Sequence, residues 1–313
     1  MTKQIRERWP KDKLSHTKKS LFNRCGKQFY FRYVRGIKLR PAAGMKVGIW
    51  GHDTVAHNFR HQMEHGEQLS VKDFCGHWEA QLDEGAKQED LAWEGVSPGE
   101  YRDRFLGTAH RPGLMPQLRT EFTPLREPHK VEEEFSITIP GDPNVTVGGF
   151  VDFFGKMHDR PSGNLYVPVD GKFEKSIDVD PHGTDEVPLA VSDFKFKKSA
   201  ARANEVMVDD QLTLYSLAME AKRCIVECVT LDVFVHGLKT KNRLDTYQMR
   251  RTESDHRRIL QEYLELGHRI ALYGDNPEAY PFCEIERTPW PCSEQWCGFR
   301  KMCPRGGGDY SER

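Results

Sequence analysis

The rhythm of apolar and polar positions changes twice along this chain. Leu14, Leu21, Phe22, Phe29, Tyr33 and Val34 recur at roughly helical spacing, and Ser15 is placed to cap them, so 14–35 reads as a helix. Residues 48–65 read as a second helix, and 70–106 as further helical material rich in Trp and acids. Pro112, Pro116, Pro124 and Pro128 make 107–130 a loop, with Leu114 to Phe122 as a short helix inside it. The period then shortens. VEEEFSITI (131–139) and VTVGGFVDFF (145–154) read as strands joined by the turn PGDPN. Residues 159–187, broken by Pro, Gly and Asp, read as an insertion with a small hairpin. LAVSDFKF (189–196) is a third strand, DDQLTLYSLAMEAKRC (209–224) an amphipathic helix, and IVECVTLDVFVHG (225–237) a return to strand. A long helix over 252–272 opens on Thr252 with Asp255 three residues on, close to a capping pair. From 276 the chain is rich in Pro, Cys and Gly and loses its periodicity.

Helices followed by strands, a helix, a strand and a helix predict a mixed α/β sheet flanked by helices, with a helical insertion ahead of the strands. The predicted organisation is one domain over 1–313: an N-terminal helix (14–47), the helical insertion (48–130), an α/β core (131–275) and a Cys-rich tail (276–313).

Composition narrows the class. Hydrophobic residues make up 37% and charged residues 30%. No stretch approaches the roughly 18 apolar residues of a membrane span. The opening MTKQIRERWPKDKLS has no apolar signal core, so a cytoplasmic, reducing compartment is expected. The net charge is −1, but its distribution is uneven: residues 1–40 carry thirteen Lys or Arg against Glu7 and Asp12. Further basic groups follow at Lys195, Lys197, Lys198 and Arg202, and from Lys239 to Arg258, while 79–103 leans acidic. Such clustering suits a phosphate backbone, and equally suits solvated helix faces. Eight cysteines in a reducing compartment point to metal before disulfides.

Two constellations carry chemistry. Asp152 follows the Gly148-Gly149 strand, and Asp193-Phe194-Lys195 closes another. Alternation puts Asp193 and Lys195 on one face, and pairing of the two strands sets Asp152 beside Asp193. Facing carboxylates suit a hard cation, Mg²⁺ or Mn²⁺, and a lysine beside them can orient water or offset phosphate charge. A lone D-x-K is weak, and Asp170-Gly171-Lys172 is a rival. Asp193 is preferred because Gln211 and Tyr215, at i and i+4, share a face of the next helix. The tail supplies Cys292-x4-Cys297-x5-Cys303-Pro304. Thiolates at such spacings suit a soft metal or cluster, and Cys25 is the candidate fourth ligand, with Cys283 as a substitute. Cys75, Cys224 and Cys228 are expected as small buried hydrophobes.

Taken in order, these motifs resemble the RecB-like branch of the PD-(D/E)xK nucleases. LSHTKKSLFNRCGKQFYFRY resembles that branch's opening helix, L-S-x-S-x-L-x-x-F-x-x-C-P-x-x-Y, and GIWGH from Gly48 to His52 resembles its G-x3-H motif. Asp152, Asp193-x-Lys195 and Gln211-x3-Tyr215 resemble its second and third motifs and the Q-x3-Y helix, and the match spans 14 to 304. The resemblance implies a restriction-endonuclease-like core. It implies metal held by His52, Asp152, Asp193 and the Phe194 carbonyl, with Lys195 acting on the attacking water and Gln211 and Tyr215 positioning Lys195 or the phosphate. His57 is the rival histidine, and Glu132, Glu133 and Glu134 are expected to face solvent or support the site.

The resemblance also implies a [4Fe–4S] cluster on Cys25, Cys292, Cys297 and Cys303, where a structural zinc would use the same four thiolates. It implies a DNA exonuclease acting on ends or single strands, like those of phages and the CRISPR-associated nuclease, with recombination, repair, CRISPR or phage proteins as partners. A basic channel would thread the strand, with aromatics such as Phe29, Tyr30 and Tyr33 either stacking bases or packing in the core, the latter favoured for Phe29 and Tyr33. A non-catalytic DNA-end-binding scaffold is the alternative. Two features depart from the branch: Gly26 stands where it has Pro, and forty residues separate Asp152 from Asp193.

Overall fold

The computed structural model describes residues 13–88, 91–93, 95–158, 164–170, 172–175, 187–202, 206–237, 241–284, 290–293 and 296–308. The basic residues before Lys13, the acids Glu89, Asp90 and Glu94, Lys239, and most of the 159–187 insertion lie outside them. Two compact units are built from interleaved segments: Met1–Leu39, Ser136–Gly149 and Arg257–Arg313 form one, Arg40–Phe135 and Phe150–His256 the other.

The larger unit holds helices α3 (Ala43–His65), α4 (Val71–Ala86), α5 (Pro98–Leu106) and α6 (Leu114–Gln117, running on as a π turn to Phe122). α5 opens with Pro98 in its first turn and a complete capping box, Ser97 and Glu100 satisfying each other's N–H. Strands follow as β1 (Arg126–Thr138), β2 (Thr146–Met157), β3 (Asn164–Val169), β4 (Lys172–Lys175) and β5 (Leu189–Lys197). Then come helix α7 (Asp210–Ala221), strands β6 (Cys228–Val235) and β7 (Arg243–Met249), and helix α8 (Glu253–Tyr273), which belongs to the smaller unit from Arg257 on.

The strands form one seven-stranded mixed sheet in the order β1-β2-β5-β6-β7-β3-β4. β2 and β5 pair antiparallel, with Phe153 opposite Ser192, and β5 and β6 pair parallel through the α7 crossover. The hairpin β3–β4 joins the far edge, parallel to β7. The core beneath the sheet is aromatic: Phe59, Phe122, Phe153, Phe194 and Phe234 pack on one another, and Trp78 stacks on Phe105 at 4.6 Å.

One fully buried ion pair crosses this core. Arg126 on β1 donates to Asp232 on β6 at 3.1 Å. Thr246 and Thr230 also donate to Asp232, at 2.6 and 3.2 Å, and the Arg126 guanidinium sits over the Phe122 ring. Every lone pair used here is a desolvation cost offset.

In the smaller unit the predicted helix over 14–35 is interrupted. α1 (His16–Arg24) is capped by Ser15, then Cys25 turns extended at φ −166°, and α2 (Gly26–Phe29) restarts and passes into a π turn to Val34. Leu14 pairs with Val147, giving and receiving main-chain hydrogen bonds at 2.7 and 2.8 Å. Phe22, Phe29, Tyr30, Tyr273 and Tyr280 make an aromatic core, and the buried Lys19 pairs with Glu262 at 2.5 Å. Phe29 and Tyr30 are 2% and 3% exposed, so they serve packing and are not available to stack bases. A Cβ on Gly26 would meet Pro281 at 2.6–2.9 Å, which is why no larger residue, the Pro of the family pattern included, fits here.

β7 is a further departure from expectation. Its segment reads as part of a basic patch, yet Leu244 to Gln248 are buried and paired to β6. Among the described residues no helix is long and apolar enough to cross a membrane.

Candidate active site

The site lies in the larger unit, where β2 and β5 pair beneath α7. The register of Phe153 with Ser192, continued one step, sets Asp152 opposite Asp193. The Phe194 N–H donates to Asp152 Oδ2 at 3.0 Å and fixes the carboxylate. Phe194 itself points into the aromatic core, so alternation aims Asp193 and Lys195 the other way, toward α7. Asp209 caps α7 by accepting from the Leu212 N–H at 2.9 Å, and that entry presents Gln211 and Tyr215 one turn apart.

These side chains close a continuous path. Lys195 Nζ donates to Asp193 Oδ1 and to Gln211 Oε1, both at 2.9 Å. Gln211 Nε2 donates to Tyr215 Oη at 2.7 Å, and the Tyr215 hydroxyl donates to Asp152 Oδ1 at 3.2 Å. His52 reaches the same carboxylate from α3, its Nδ1 3.4 Å from Asp152 Oδ2. α3 can come this close because Gly51 lies on the Phe196 ring, where a Cβ would stand 2.5–2.8 Å from ring carbons.

The charges are strongly shaped by their setting. Burial pushes the Asp193 carboxyl up to about 7; Asp152 and Asp209 add to the rise and Lys195 opposes it. Burial also works against Asp152, but the hydrogen bond and charge of His52, with Lys195 and the Phe194 N–H, outweigh it and hold its pKa below the ordinary value. Burial disfavours the Lys195 ammonium, yet Asp193 and Asp152 win and raise its pKa. Burial and the same two carboxylates push Tyr215 well up, so it remains a hydroxyl that donates.

Asp193 Oδ2 is 2.8 Å from Lys195 Nζ but lacks the alignment of a hydrogen bond, and it is a buried acceptor with no hydrogen-bond donor among the described residues. The oxygens of the two carboxylates and the adjacent main-chain carbonyl are hard donors of the kind Mg²⁺ or Mn²⁺ takes, and the His52 imidazole is a softer one. Among the described residues no three His, Cys, Asp or Glu side chains converge tightly enough to hold an ion as they stand.

The rivals sit elsewhere. Asp170 lies in the β3–β4 turn at φ 46°, beyond β6 and β7 in the sheet. His57 stacks on His77 at 4.4 Å, and His77 bonds Asp53 at 2.9 Å, both away from Asp152 in the contacts they make. Glu132 pairs with Arg60, and Glu133 with Lys130 and Lys222, as solvent-side ion pairs.

In the smaller unit Cys25, Cys292, Cys297 and Cys303 line one pocket, and Cys283 lines it with them. Of the other cysteines, Cys228 is buried, while Cys75 and Cys224 are only partly so. The ion pair of Arg126 with Asp232 escaped the sequence reading, since nothing in the local pattern around either residue marks a partner 106 positions away.

Two opposed carboxylates and a lysine thus stand on adjacent strands of a mixed sheet. The model of the PD-(D/E)XK nuclease superfamily matches residues 13–304, and the chain belongs to that superfamily. No curated protein matches the sequence. Among solved structures, a candidate exonuclease from Eubacterium rectale is similar at 10% identity and a TM-score of 0.28, covering 75% of this chain and 83% of its own.

Proposed function

We propose that this chain is a Mg²⁺- or Mn²⁺-dependent DNA exonuclease of the RecB-like branch, acting on ends or single strands in DNA recombination, repair or phage processing. The observation that carries this is the continuous path of hydrogen bonds from Asp152 through Tyr215, Gln211 and Lys195 to Asp193, with His52 on Asp152. His52, Asp152, Asp193 and the Phe194 carbonyl would hold the metal, which supplies charge neutralisation at the phosphate and a more acidic water. Lys195, kept protonated by the two aspartates, orients that water or offsets phosphate charge. Gln211 holds the Lys195 ammonium in place, and Tyr215 holds Asp152 through its hydroxyl. Hydrolysis adds the water oxygen to phosphorus and breaks one P–O bond, leaving a phosphate and a hydroxyl end.

Cys25, Cys292, Cys297 and Cys303 are proposed to carry a structural [4Fe–4S] cluster. The support is their shared pocket and the spacing of the tail. Binding would tie residue 25 to the tail and make cluster loading part of the folding free energy.

The deciding experiment compares relaxed closed circular duplex with its linearised form, and end-labelled single strands, under Mg²⁺ or Mn²⁺. Loss of the linear and single-stranded DNA with the circle intact is expected. Equal loss of both duplexes means an endonuclease, and loss of none by metal-loaded protein means a DNA-binding scaffold.

A further inference from the structure

The cysteine pocket holds one thiol more than a four-thiolate site uses. Cys25, Cys283, Cys297 and Cys303 are 5–8% exposed, whereas Cys292, the residue that the tail spacing favours, is only half-buried. Cys283 is not there by chance of a mobile loop. The Phe282 ring before it is held between Lys27 Nζ at 4.6 Å and the Arg305 guanidinium at 4.5 Å. Arg305 Nη1 also donates to the Cys283 carbonyl at 2.7 Å. Cys283 lines the same pocket as Cys25, Cys292, Cys297 and Cys303 and is buried. A cysteine side chain has a single heavy-atom torsion, so a thiol fixed on the pocket wall reaches a neighbouring ligand position by one rotamer change.

We propose that Cys283 is a fifth thiol of the metal site, able to complete the four-thiolate set with Cys25, Cys297 and Cys303 when Cys292 does not. This rests on the cluster reading above. The site then has two complete sets of ligands that share three residues and differ in one: Cys292 on the outer side and Cys283 on the inner. Loss of the outer thiol leaves the metal held.

The test uses full-length chains purified without oxygen: wild type, Cys283→Ala, Cys292→Ala, Cys25→Ala and the double Cys283→Ala/Cys292→Ala. Iron, acid-labile sulfide and zinc per chain are measured, with far-ultraviolet circular dichroism as the control for folding. Each of the single variants at 283 and 292 is expected to keep iron within about twofold of wild type, while the double, left with three thiolates, falls by about tenfold or more; Cys25→Ala keeps four thiols but neither complete set, since both sets share Cys25, and is expected to fall as far. Folded Cys292→Ala without iron, or a double variant that keeps it, overturns the proposal. If Cys283→Ala misfolds, Cys283→Ser replaces it. The same pattern read in zinc supports the fifth thiol while the cluster reading fails. Wild type holding neither metal overturns both.

Discussion

The main-chain N–H of Phe194 donates to the Asp152 carboxylate at 3.0 Å, so the residue between Asp193 and Lys195 holds the acid of the neighbouring strand. One backbone group thereby sets the spacing of the two carboxylates, and the chemistry of the site depends on both.

Asp193→Asn and Lys195→Ala are expected to lower cleavage by about three orders of magnitude while leaving DNA affinity within a few fold, because phosphate contacts elsewhere dominate binding. Asp170→Asn, in the β3–β4 turn, is expected to cleave like wild type. End-labelled digestion and filter binding measure the two properties separately, and an inactive Asp170→Asn beside an active Asp193→Asn would reverse the assignment.

The raised pKa of Asp193 has a definite sign in stability. Its folded value, about 7, exceeds the unfolded carboxylate value, so the folded chain keeps the proton that the unfolded chain has lost. The contribution is whole below about pH 4 and is lost as pH rises through about 7. Lys195 beside it moderates the size. In metal-free protein, the stability difference between Asp193→Asn and wild type is expected to grow in favour of the variant from pH 4 to 7, by at most about 1.4 kcal/mol per unit. Denaturant melts at four pH values measure it. If Asp193 holds the metal as proposed, Mg²⁺ affinity should weaken as pH falls below about 7.

Gly51→Ala drives a methyl group into the Phe196 ring, where the new Cβ would stand 2.5 Å from a ring carbon. The expected cost is about 1–3 kcal/mol of overpacking, with a loss of activity as α3 and His52 are pushed off Asp152. Phe196→Leu in the same chain should recover part of both. Thermal melts and cleavage rates of the single and double variants show whether the two residues are coupled.

Arg126→Met leaves Asp232 buried without its cation, and a loss of about 3–5 kcal/mol is expected. Arg126→Met/Asp232→Leu removes both charges and should recover most of that loss, apart from the donors that Thr230 and Thr246 no longer place. Urea unfolding of wild type and the two variants tests this. Equal losses in the single and double variants would mean that Arg126 acts through packing on Phe122.

The strands bearing Asp152 and Asp193, the α7 helix and the capping pair Thr252–Asp255 were legible in the sequence because local period and turn chemistry agree there. The β7 strand was not. Asp245, Thr246 and Gln248 look like surface residues, yet all three are buried; Thr246 bonds Asp232 and Asp245 pairs with Arg243, which offsets their burial. The break at Cys25 was equally hidden, since the sequence there is helical in pattern and Pro281, which bears on Gly26, comes from far along the chain. Tyr30 reads as an available aromatic until Tyr280 covers it.

The pairings Lys19–Glu262, Lys27–Pro277 and Gln28–Pro291 join residues separated by 243, 250 and 263 positions. α1 and α2 therefore leave the ribosome long before the segments they pack against, and closing so large a loop makes their docking a late event in synthesis. During that interval Phe22, Phe29 and Tyr30 are exposed on a nascent chain, the kind of apolar surface that chaperones engage. A chain released before residue 257 would remain in that condition permanently.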